Sequence, residues 1–106
     1  MYLTVLCTVP DPETARRIAQ TVVHEGLAAC ANLLPGITSV YRWQGEVQES
    51  QELLLIIKTH QARYGALEAR IKELHPYQVP EIIALKIEVG ARHYLDWITE
   101  NTGQNS

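Results

Sequence analysis

No apolar run in this chain of 106 residues approaches the eighteen that a membrane-spanning helix needs, so no membrane partner is expected. Basic residues are few and scattered: nine Lys and Arg stand against twelve Asp and Glu, a net charge of −3. A nucleic-acid surface requires clustered cations, and none is present. Met1 leads straight into alternating Tyr2–Val9, without the basic, apolar and small-residue sections of a secretory leader, so a cytoplasmic location is expected. Cysteine is confined to Cys7 and Cys30, which read as separate free thiols because no C-x-x-C spacing suggests zinc or dithiol chemistry. The G-x-S-x-G, P-loop, G-x-G-x-x-G and paired-carboxylate patterns are also missing, and the chain is read as no enzyme. No repeat, low-complexity block or linker divides it, so residues 1–106 are expected to form one domain.

What is present is the patterning of a globular chain, 46% hydrophobic and 20% charged. Leu3, Val5, Cys7 and Val9 alternate with Tyr2, Thr4, Leu6 and Thr8, a half-buried strand ended by Pro10. Asp11-Pro12-Glu13 opens a helix, with Asp11 as N-cap and Pro12 at its first position. Ala15, Ile18, Ala19, Val22 and Val23 supply its apolar stripe, and Gly26 stops it. Residues 28–43 are rich in apolar and β-branched side chains, and Gln44-Gly45 turns them back into 46–59. An arm of some sixteen residues at about 3.3 Å each would reach roughly 50 Å, against about 33 Å for a compact domain of this length. The arm must bend at Pro35-Gly36, overhang, or both. Ile37, Val40, Tyr41 and Trp43 on an exposed edge would invite pairing with another chain, so an oligomer is expected; a bulged hairpin folded over its own sheet is the alternative.

Tyr64, Leu67, Ile71 and Leu74 give 61–74 a helical stripe, with Glu68 and Lys72 paired outside. Residues 81–89 alternate as a fourth strand, Gly90 precedes a short helix carrying Tyr94, Leu95 and Ile98, and the tail from Asn101 is expected to fray. The order β-α-β-β-α-β plus a terminal helix predicts an α+β, ferredoxin-like sandwich with an extended hairpin and two helices over one sheet face. The other face, with Leu6, Leu54 and Ile56, has no cover within the chain in this plan.

Chemistry concentrates at His75-Pro76-Tyr77-Gln78-Val79-Pro80-Glu81, where two prolines force a stiff extended corner between helix and strand. His75 reads as a metal ligand or as a cation closing the helix dipole. Cys7 reads as a small buried apolar side chain or as a soft ligand, and one Cys with one His falls short of a closed zinc site. Tyr41, Arg42 and Trp43 near the hairpin tip are interface-anchor types, with packing the default. Tyr77 stands on the corner as a phenol, and Glu81 suits an ion pair, a ligand or a strand start. Cys30, among small residues, reads first as strand packing.

Leu6-Cys7-Thr8, Ala28-Ala29-Cys30-Ala31-Asn32, Pro35-Gly36, Ser39-Val40-Tyr41-Arg42-Trp43-Gln44-Gly45, Glu52, Lys58-Thr59, His75-Pro76-Tyr77, Val79-Pro80-Glu81 and Tyr94-Leu95-Asp96-Trp97 together resemble the CutA divalent-cation tolerance family. The resemblance runs from about Leu3 to Trp97. It implies a tight homotrimer built like the PII proteins, a link to tolerance of copper and other divalent cations in bacteria, and acetylcholinesterase anchoring in mammals. It also implies copper or another divalent metal at Cys7 and His75. Some members carry two adjacent histidines, whereas Leu74 stands before His75 here. Two functions follow as expectations: a cytoplasmic trimer that binds metal weakly, or a PII-like trimer whose clefts hold a small molecule or a protein partner. Tyr41, Trp43, Tyr77 and Glu81 are the candidate ligand-binding or interface residues.

Overall fold

The computed structural model describes residues 1–103. Strand β1 (Tyr2–Val9) buries Leu3, Val5, Cys7 and Val9, as its alternation requires. Helix α1 (Pro12–His24) starts where the Asp11 carboxylate accepts the Thr14 amide hydrogen at 2.8 Å. It ends in a Schellman motif: the amides of Gly26 and Leu27 donate to the carbonyls of Val23 and Val22, and Gly26 takes the required left-handed turn at φ +74°. Its buried stripe is Thr14, Ala15, Ile18, Ala19 and Val22; Val23, expected in the stripe, is exposed, one position too far round the helix.

Strands β2 (Cys30–Trp43) and β3 (Glu46–His60) form the long hairpin, followed by one 3-10 turn (Gln61–Arg63), helix α2 (Tyr64–Leu74), strand β4 (Ile82–Lys86) and helix α3 (Arg92–Glu100). The sheet order is β2-β3-β1-β4, antiparallel at every seam, which is the ferredoxin-like arrangement. Helices α1 and α2 pack on the face that carries Val5, Cys7, Leu55 and Ile57, and Leu67 and Ile71 of α2 complete the core. The Glu68–Lys72 pair forms at 3.0 Å, and Arg70 ties α2 to Glu25 beyond the end of α1. Both pairs are surface contacts of small energetic weight.

Three further expectations change. The fourth strand is five residues long, not nine: Ile87 still donates its amide to the Tyr2 carbonyl, but pairing stops where β1 begins. The tail is not frayed over its described part: Thr102 is fully buried, Asn101 donates to the Trp97 carbonyl, and Gly103 packs on Gly26. Residues 104–106 lie outside the described residues. The second sheet face is also partly covered, since α3 docks on its lower end, where Tyr2 Oη and Thr99 Oγ1 share a 2.7 Å hydrogen bond and Ile98 is buried.

The hairpin carries the bulge that its length demands. Leu34 pairs with Leu54 and Ile37 with Glu52, so Pro35 and Gly36 oppose the single residue Leu53. Gly36 sits at φ +84°. The extra residue inverts the facing of everything beyond it. Below the bulge Asn32 and Leu34 share a face with Ile56 and Leu54; above it Ile37, Ser39, Tyr41 and Trp43 share that face with Glu52.

Candidate functional site

The corner after α2 is held by His75. Its φ of −83° and ψ of 135° are the extended values that Pro76 imposes, which ends the helix at Leu74. The ring then turns inward: Nδ1 accepts the Tyr77 amide hydrogen at 3.1 Å, so Nε2 carries the proton and donates to the Thr8 carbonyl at 2.7 Å. Cys7 Sγ donates to the same carbonyl at 3.8 Å. Thr8 thereby gathers a thiol and an imidazole at one oxygen. Burial pushes the Cys7 thiol up to about 12, with the Glu81 and Glu52 carboxylates adding to the rise.

Cys7 and His75 are thus brought together, as donor types that suit a soft cation. In this arrangement the thiol is protonated and both imidazole nitrogens are engaged. Among the described residues no group of three or more His, Cys, Asp or Glu side chains is poised to hold a metal. The donor chemistry fits copper in kind, but as a two-ligand set that must give up hydrogen bonds.

The same corner walls a groove of about 780 Å³ between residues 76–81 and the hairpin above its bulge. Tyr41, Trp43, Tyr77 and Glu81, scattered over forty positions of sequence, all line it. Sequence reasoning missed the chemical role of Glu52, which lies on the groove floor, is only 6% exposed, and accepts a hydrogen bond from Tyr77 Oη at 2.7 Å. The Tyr77 phenol is raised by burial first and by Glu52 second. The available signal was Pro35-Gly36, because the bulge across the ladder from Leu53 is what puts Tyr41 and Trp43 on the Glu52 side. Cys30 is elsewhere, at the lower end of the second face beside Asn32 and Lys58, and is a free thiol like Cys7. The Tyr94 and Trp97 rings stack at 5.5 Å on α3, away from the groove.

The profile of the CutA1 divalent ion tolerance protein family matches residues 3–101. The chain is 61% identical over 99 residues to the divalent-cation tolerance protein CutA of Thermus thermophilus, covering 93% of this chain and 96% of that one. It is 46% identical over 103 residues to the chloroplastic protein CutA 1 of Oryza sativa, where it covers 97% of this chain but spans only 58% of the relative's length. The solved structure of the divalent cation tolerance protein from Thermus thermophilus superimposes with a TM-score of 0.95 at 59% identity, over 97% of this chain and all of the other. CutA1 from Oryza sativa does so with a TM-score of 0.92 at 46% identity, over 95% and 93% of the two chains.

Proposed function

The chain belongs to the CutA1 family of divalent ion tolerance proteins, and from that membership we propose that it acts as a cytoplasmic homotrimer that binds copper or another divalent ion weakly, by binding and not by turnover. The metal part is carried by the convergence of the Cys7 thiol and the His75 imidazole on the Thr8 carbonyl. Cys7 and His75 would hold the ion, whose charge would sit close to Glu52 and Glu81. The Cys7 thiol must lose its proton and His75 must free a ring nitrogen from its hydrogen bond, so uptake should be weak at neutral pH and strengthen as pH rises. The trimer is supported by the apolar residues left open on the second sheet face, Ile83 and Leu85 among them.

Copper added to the purified protein should raise its unfolding free energy by about 2.7 kcal/mol when free metal is 100 times its dissociation constant. At one fixed free copper concentration the gain should be larger at pH 8 than at pH 6, and Cys7→Ser or His75→Ala should abolish copper uptake measured by equilibrium dialysis. Undiminished uptake by both variants would remove these ligands from the proposal.

A second reading is favoured by the groove itself. A PII-like trimer that senses a small molecule or docks a partner needs a formed cleft with convergent polar groups, and the groove lies within the size range of small-molecule sites. This reading requires no metal.

A further inference from the structure

The groove is chemically one-sided. Tyr41, Trp43 and Tyr77 contribute aromatic surface, and each remains more than a third exposed. Two carboxylates accompany them. Glu52 is nearly buried, and its Oε2 accepts from Tyr77 while Oε1 accepts no hydrogen bond from any described residue. Glu81 makes no hydrogen bond or ion pair among the described residues. Arg42 is the one cation in the lining, and its Nη1 donates to the Gly45 carbonyl at the hairpin turn, not to either carboxylate.

Glu52, nearly buried with Tyr77 as its one hydrogen-bond partner among the described residues, and the exposed Glu81 beside it give the groove a net negative charge that favours an occupant of positive charge. Two carboxylates do not make the shell of six or more oxygens that a hard divalent ion takes. Aromatic rings beside carboxylates do match an organic cation, which gains from both. Val40, Pro76 and Val79 extend the lining with apolar surface that an inorganic ion would not use. We infer that this groove binds an organic ammonium ion, its charged head among Tyr41, Trp43, Tyr77 and the two glutamates and its apolar body along Val40, Pro76 and Val79. The inference rests on the second reading above and names its ligand class.

The test is isothermal titration calorimetry on the metal-free, full-length protein at fixed ionic strength. Benzyltrimethylammonium is the probe, and phenylmethanesulfonate, of similar shape and opposite charge, is run beside it. The cation should bind saturably, and the anion at least about tenfold more weakly. Trp43→Leu and Glu81→Gln, both at exposed positions, should each weaken the cation by roughly fivefold or more, whereas Trp97→Leu on α3 should not. Circular dichroism confirms that the variants keep the fold. Preference for the anion would overturn the ammonium assignment while leaving the groove as an effector site. Binding of neither probe would overturn the ammonium assignment and leave the second reading to its other occupants, a partner protein among them. Cation binding that survives Trp43→Leu and Glu81→Gln would lie outside the groove, and would also overturn the assignment.

Discussion

The Cys7 thiol has its own titration signature because its ordinary value of 9.0 is pushed to about 12, mainly by burial and then by Glu81 and Glu52. The folded protein therefore holds a proton that the unfolded chain releases. Stability from this site is complete below about pH 9 and is lost as pH rises from 9 towards 12. Urea midpoints measured across that window should fall steeply for the natural chain and less steeply for Cys7→Ala. Tyr77 is raised in the same direction from 10.0, so a residual slope should remain in Cys7→Ala and shrink further in Cys7→Ala/Tyr77→Phe. A slope that is unchanged by both substitutions would mean that neither group is as buried as described.

Among the elements, helix starts and stops were the most legible in sequence, because Asp11, Pro12, Gly26 and Pro76 act through local backbone chemistry that needs no tertiary partner. The overlong arm was legible from length alone, and the molecule does reach 45 Å along its longest axis. The end of β4 was not, since alternation continues to Val89 while strand pairing depends on where β1 supplies partners. Nor was the groove: its four foreseen residues could be named singly, but their meeting depends on one extra residue in a ladder, which inverts facing without changing the local pattern. Gly36 makes this testable. A β-carbon there meets nothing within 4 Å, so Gly36→Ala should cost only the left-handed backbone penalty, about 1 kcal/mol. If the bulge sets the facing of Tyr41 and Trp43, deleting Gly36, which removes the extra residue, should change the near-ultraviolet circular dichroism of these aromatics with the far-ultraviolet signal retained, whereas Gly36→Ala, which keeps it, should not. An unchanged aromatic signal in the deletion variant would show that the hairpin facing is fixed elsewhere.

At the scale of the whole molecule, the two sheet faces are unequal. One is sealed by α1 and α2 around a continuous core, while the other is covered by α3 only at the end near Tyr2. Beyond α3 it leaves Leu34, Ile83 and Leu85 half exposed, where Leu34 pairs with Leu54, Ile83 with Leu6 and through it Ile56, and Leu85 with Thr4. A contiguous apolar strip of this kind, flanked by a hairpin that overhangs the body, is buried in the proposed trimer by neighbouring copies. Light scattering at micromolar concentration should therefore return three times the 12.0 kDa chain mass. Ile83→Glu would place a carboxylate in that dry contact, at a cost of several kcal/mol per interface, yet in an isolated chain the same side chain would face water and cost little. The variant should accordingly dissociate at micromolar concentration, keep its far-ultraviolet circular dichroism, and unfold at a lower, concentration-independent midpoint. A natural chain that scatters as 12.0 kDa, or an Ile83→Glu variant as large and as stable as the parent, would mean that no second copy covers this face.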